Sequence, residues 1–272
     1  MYHVPPGCRE AVEHQDRRPV AARVVHGDVH VAQPDGAVFV VGHSPTLPGP
    51  VTPADPPTTP DTGPPPAPER RALDLAAGGD RTLLGIAGPP GAGKSTLAAR
   101  VAAAVERAHP GACVVVPMDG FHLAQGVLAA LGRAGRKGAP DTFDAAGYAA
   151  LLRRLRRPVP GETVYAPRFD RAIEEPVAGA IAVPATVRLV VTEGNYLLLD
   201  EGPWAAVRGL LDEAWYVDPG DAVRVPRLVA RHVAFGRTPA EAEAWQRDTD
   251  APNAARVART AHRADVAWDG AA

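Results

Sequence analysis

The chain has 272 residues, 46% of them apolar and 22% charged, with a formal net charge of −2. That is enough apolar matter for a substantial core, and the interspersed, nearly balanced charge excludes a whole-chain field suited to nucleic acid or an anionic membrane. Two cysteines, Cys8 and Cys113, give neither metal-ligand spacing nor a disulfide framework, which points to a reducing compartment.

The opening MYHVPPGCREAVEHQDRR has no apolar h-region, and no later segment approaches 18 uninterrupted apolar residues, so the expected protein is soluble and cytoplasmic. Short alternations between Arg23 and Val41 could pair as a hairpin but are too short for a core and stay unassigned. Residues 44–68 contain 11 prolines in 25 positions and read as a disordered tether. Residues 1–68 are thus taken as a proline-rich extension and 69–272 as one α/β domain.

Within that domain TLLGIA (82–87) predicts a strand, and KSTLAARVAAAVERA predicts a helix with Leu97, Val101 and Val105 on one face. CVVVPM (113–118) reads as a second strand, buried on both faces. A helical piece from about Leu123 leads into the polar loop GRAGRKGAPDTFD, and residues 145–157 predict a helix with Leu151, Leu152 and Leu155 inside and the arginines of RRLRR in solvent. ETVYAPRFDRAIEEPVAGAIAVPA suggests short strands or a hairpin. VRLVVTEG (187–194) and EAWYVD (213–218) are further core strands. Three helices then open at Asp221, Thr238 and Pro252, and ADVAWDG (264–270) closes the sheet. Strands alternating with helices imply a mostly parallel sheet covered on both faces, with ligands at the carboxyl ends of its strands.

GPPGAGKST fits G-x-x-x-x-G-K-[ST] between a predicted strand and a predicted helix. Gly88, Pro89, Pro90, Gly91, Ala92, Gly93, Lys94, Ser95 and Thr96 therefore form a candidate ATP phosphate loop. Its glycines let backbone N–H groups surround phosphate oxygens, and the helix N-terminus adds positive potential. Lys94 would reach the β- and γ-phosphates, and Ser95 would ligate Mg²⁺. The N-K-x-D motif of GTPases and the L-S-G-G-Q signature of transporter ATPases are both absent from the sequence, which leaves small-molecule kinases.

Asp119, directly after the second strand, either turns the chain as Asp-Gly pairs do or accepts the proton of an acceptor hydroxyl. Phe121 and His122 could face that acceptor. Glu193 ends the third core strand and could hold a metal-bound water or an acceptor hydroxyl. RKGAPDTFD offers Arg136 and Lys137, and YAPRFDR offers Tyr165, Arg168, Asp170 and Arg171, for gripping a polar or anionic acceptor. Arg224, Arg227 and Arg231 share a helix face that could close over ATP and neutralise developing charge. Only two of the 29 basic residues are lysines, Lys94 and Lys137, and the only asparagines are Asn195 and Asn253.

Together GPPGAGKST, MDGFHL, RKGAPDTFD, YAPRFDR, VTEGNYLLL and RLVARHVAFGRTPAEAEAW…DAPNAARV resemble the phosphoribulokinase/uridine kinase superfamily over about residues 70–270. The nearest group is the bacterial nucleoside/nucleotide kinase-like proteins described as fructose transport system kinases, related to type I pantothenate kinase. The resemblance implies a P-loop NTPase three-layer fold with a five-stranded parallel core in the order 2-3-1-4-5 and a helical lid. It further implies Asp119 as acceptor base, Glu193 as second carboxylate, and Arg227 and Arg231 in the lid, with Asp250 and Asn253 in a family signature of underived role. It leaves a homodimer open. Uridine kinases carry Asp-x-Phe-Tyr where this chain has Asp-Gly-Phe-His, which argues against uridine as acceptor. The expected function is ATP- and Mg²⁺-dependent transfer of the γ-phosphoryl group to a small-molecule hydroxyl, of a sugar, nucleoside or pantothenate-like alcohol. The rival is a non-catalytic ATP-binding regulator using the loop as a sensor.

Overall fold

The computed structural model describes residues 67–269; the proline-rich extension up to residue 66 and the hairpin reading at 23–41 lie outside them. A short helix, α1 (Ala67–Ala76), precedes the first strand, β1 (Thr82–Ala87), which leads through the glycine-rich loop into α2 (Lys94–Ala108). Then come β2 (Cys113–Pro117), α3 (Gln125–Ala130) and α4 (Ala145–Leu155). An antiparallel hairpin, β3 (Thr163–Asp170) with β4 (Glu175–Pro184), stands apart from the main sheet. The core resumes with β5 (Leu189–Gly194) and β6 (Glu213–Val217), followed by α5 (Asp221–Ala234), α6 (Pro239–Trp245), α7 (Ala251–Ala258) and β7 (Val266–Trp268).

The main sheet has five parallel strands in the order β2-β5-β1-β6-β7. With the hairpin strands set aside, this is the 2-3-1-4-5 order. Alternation along β1 divides the core. Leu83 and Ala87 face a cluster with Tyr148, Leu152, Tyr196 and Trp204, while Leu84 and Ile86 face Leu97, Val101, Val105 and Trp215 on the other side. Two apolar faces per central strand explain the continuous TLLGIA run.

The apolar run of β2 has the same cause: Val114 and Val116 pack on the first cluster and Cys113 and Val115 on the second, although at the edge of the sheet only Val116 is fully buried, so the expectation of burial on both faces holds in part.

The last two predicted helices are also not separate. Thr238 caps α6 with a full capping box to Glu241. A π-helical turn, Gln246–Asp250, carries α6 directly into α7, and Pro252 occupies the first turn of that continuation. Proline's missing N–H is tolerated there because the π turn has already broken the regular i→i−4 ladder.

Candidate active site

Parallel register sets the edge on which the functional side chains meet. Pro117 of β2 pairs with Glu193 of β5, and Ala87 of β1 pairs with Gly194. Gly88, Asp119 and Glu193 therefore emerge at one carboxyl edge of the sheet. Asp119 sits in a 3-10 turn, Met118–Phe121, immediately after β2. It both turns the chain and presents a carboxylate.

The turn is possible only because residue 120 is glycine. A Cβ there would stand 2.4 Å from the carbonyl oxygen of Pro167, where β3 crosses the turn. Gly120→Ala is expected to push the turn off β3 and destabilise the fold by about 1–3 kcal/mol. A lowered midpoint in urea unfolding checks this; an unchanged midpoint contradicts it.

Gly91 meets a comparable constraint in the phosphate loop. It has φ 80°, and a Cβ would lie 2.8 Å from Leu228 Cγ and 2.9 Å from the Arg224 carbonyl oxygen. The helix α5 is thus packed directly on the loop. Arg227 Nη1 lies 4.0 Å from the place of a Cβ on Gly93, and Arg227 and Arg231 line a cavity of about 810 Å³ with residues 91–97 of the loop and of α2. Arg224 does not join them. It is buried and its Nε donates to Asp221 at 2.7 Å, because a carboxylate one helical turn earlier draws it back.

Lys94, the first residue of α2, is 8% exposed. Its Nζ donates to the Pro89 carbonyl at 3.0 Å and to Asn195 Oδ1 at 2.7 Å. Burial pulls its pKa down to about 8, against the opposing pull of Glu193 and Asp119. In the unfolded chain the value is near 10.5, so the burial cost is present below pH 8 and is relieved as pH rises through the window to 10.5. Bound phosphates favour the charged form. At pH 8, ATP binding is expected to take up about half a proton, read as a buffer-dependent binding enthalpy. A buffer-independent enthalpy contradicts this.

Ser95 Oγ donates to Glu193 Oε1 at 2.9 Å. Burial raises the Glu193 pKa, and the nearby Asp119 charge raises it further, opposed by Lys94 and by the Ser95 hydrogen bond. Two hard oxygen donors in contact fit Mg²⁺, which takes one or two protein oxygens and fills its octahedron with phosphate and water. No cluster of three or more His, Cys, Asp or Glu side chains able to hold a metal occurs among the described residues, as that mode of binding allows.

A second cavity, of about 730 Å³, shares Lys94, Ser95, Arg171 and Arg231 with the first and holds Asp119 and Glu193. His122 lines it, with its ring 4.0 Å from that of Phe143 and 4.8 Å from that of Phe169. Its Nδ1 lies 2.8 Å from the Asp119 carbonyl oxygen, which makes Nδ1 the protonated nitrogen of the neutral ring. Burial lowers the His122 pKa, more than the Asp119 charge raises it. Lys137 also lines the cavity, its Nζ donating to the Glu174 carbonyl at 2.6 Å and lying 5.0 Å from the Phe169 ring centre.

Three residues expected at the acceptor are not brought there. Arg136 is half exposed and paired with Asp141 at 2.6 Å; a carboxylate five residues on holds it on the loop's outer side. Tyr165 and Arg168 are exposed on β3. A register shift between Ala166 and Arg168 turns Phe169, rather than Arg168, toward His122. Arg171, just beyond the strand, lies 3.5 Å from Asp119 and lines both cavities. Asn195, Arg237, His232, Asp250 and Asn253 were not foreseen as site residues. The rarity of asparagine in the chain was the signal for two of them.

Residues 83–266 match the Phosphoribulokinase / Uridine kinase family. The chain belongs to this family. Its relatives include the ATP-dependent kinase-like protein notR' of Aspergillus versicolor, 40% identical over 145 residues, covering 50% of this chain and 84% of that one. The uncharacterized protein YggC of Escherichia coli K12 is 37% identical over 188 residues, 68% of this chain and 76% of that one. Among solved structures, a "putative fructose transport system kinase" from Silicibacter sp. TM1040 superposes with a TM-score of 0.65 at 35% identity, over 72% of this chain and 98% of that one. With the phosphate loop and the sheet order above, family membership makes the chain a P-loop kinase.

Proposed function

We propose that this P-loop kinase transfers the γ-phosphoryl group of ATP to the hydroxyl of a small-molecule acceptor. The observation that carries the reading is the meeting of two cavities at Lys94 and Ser95, with Asp119 and Glu193 in the second. ATP would lie in the first cavity, with its γ-phosphate at the shared wall. The acceptor hydroxyl in the second would lose its proton to Asp119 as its oxygen bonds to the γ-phosphorus, and the bond to the bridging oxygen would break with its electron pair leaving on ADP.

Lys94, Arg227 and Arg231 would neutralise charge on the phosphoryl and leaving oxygens. Ser95 and Glu193 would hold Mg²⁺, which would supply positive charge against that of the phosphates. His122 and Lys137 are the sequence-expected acceptor contacts that line the second cavity, and Arg171 stands beside Asp119.

The test is ADP formation with ATP and Mg²⁺ across sugars, sugar alcohols, nucleosides and pantothenate. Turnover stimulated by one compound supports the kinase. ATP binding without turnover on any compound supports a nucleotide-sensing regulator instead.

A further inference from the structure

Asn195 follows directly on the strand end that carries Glu193, lines the second cavity, and is not used by the reaction proposed above. Its backbone is held on both sides. A Cβ on Gly194 would stand 2.5 Å from Met118 Cβ, so the end of β5 is pressed onto the start of the Asp119 turn. Tyr196, 1% exposed, donates its hydroxyl to the Gly138 carbonyl at 2.5 Å. An amide between two such anchors has little freedom of position.

What the amide holds is the ammonium of Lys94, at 2.7 Å. A lysine only donates, so Oδ1 must face it, and the pairing fixes the amide's orientation as well. The Pro89 carbonyl takes a second N–H at 3.0 Å. An ammonium has three, so one is left, and tetrahedral geometry points it away from both acceptors. A neutral partner matters here because Glu193 and Asp119 both attract this ammonium. Each carboxylate is engaged elsewhere, Glu193 by Ser95 Oγ and Asp119 by Arg171. A lysine paired with either would have its charge answered inside the protein. An amide fixes the ammonium and leaves its charge for a phosphate.

We propose that Asn195 is a positioning residue for the phosphate-loop lysine: with Pro89 it occupies two of the ammonium's three N–H groups, keeps the charge off the Glu193 carboxylate, and directs the remaining donor to the phosphates of ATP. The proposal rests on the reading above only for the place of ATP, and needs no acceptor.

The chain has two lysines, Lys94 and Lys137, so the full-length protein labelled with ¹³C at lysine Cε gives two NMR signals, assigned by Lys137→Arg. Without nucleotide, Asn195→Ala is expected to move the Lys94 signal and leave that of Lys137 in place. Calorimetric titration of the variant with ATP and Mg²⁺ is expected to show roughly 10- to 100-fold weaker binding. In a Lys94→Met background the same change should cost no more than about 2-fold, because Asn195 acts through the lysine. Asn195→Leu, which keeps the branched shape without the acceptor oxygen, takes the place of the alanine variant if that one fails to fold. An unmoved Lys94 signal, an unchanged ATP affinity, or an equal loss with and without Lys94 overturns the proposal. Where Lys94→Met binds too weakly to titrate, the Lys94 signal and the affinity of the single variant decide. ADP formation stands apart: an acceptor panel without turnover removes the kinase and leaves the role of Asn195 in ATP binding intact.

Discussion

An Asp119→Asn enzyme is expected to bind ATP as its parent does and to lose roughly 10²- to 10⁴-fold in kcat. The amide has nearly the carboxylate's shape, so the 3-10 turn and its crossing under Pro167 are undisturbed. What disappears is the ability to accept a proton. ATP affinity is expected to be spared because Asp119 lines the second cavity and not the first, where the proposal puts ATP. Relief of the repulsion between Asp119 and Glu193 also lets Glu193 ionise more easily, since the Asp119 charge is one of the forces raising its pKa. Full kcat in Asp119→Asn, with a saturating acceptor, would remove the proton-acceptor role and leave the residue as a turn former.

Lys94→Met is expected to lower kcat/KM by about 10²- to 10³-fold or more, the range found when one preorganised donor to a developing charge is removed. Methionine nearly matches the stem in length, so the loss is of charge and of the hydrogen bonds to Pro89 and Asn195 rather than of packing. A second signature follows from the electrostatics. Lys94 is the principal neighbour holding the Glu193 pKa down, so its removal moves the Glu193 titration upward. The acid limb of the residual pH–rate profile should therefore shift to higher pH. A profile with its acid limb unmoved would show that the two buried groups are not coupled.

Much of this site was legible in sequence because parallel α/β geometry is repetitive. Three strands end at Ala87, Pro117 and Gly194, and the residues at or just past those ends lie on one edge whatever the loops do. The phosphate loop, Asp119 and Glu193 needed only that rule. The hairpin was harder. YAPRFDR offers both Arg168 and Arg171, and the register shift at Ala166/Arg168 falls inside the strand, where no sequence pattern marks it. Arg136 failed for a local reason, since its charge is already answered by Asp141. The Asp250–His232 pair was out of reach because the two residues are 18 positions apart and meet only through a π turn, whose spacing no 3.6-residue pattern describes.

The two cavities share one wall, which includes Lys94, Ser95, Arg171 and Arg231, and in the proposed reaction donor and acceptor oxygens approach phosphorus from its two sides. In that arrangement the phosphoryl group is expected to cross in a single displacement. A chiral γ-thiophosphate should leave with its configuration inverted, whereas a phosphorylated-enzyme route, with two displacements, would return it retained.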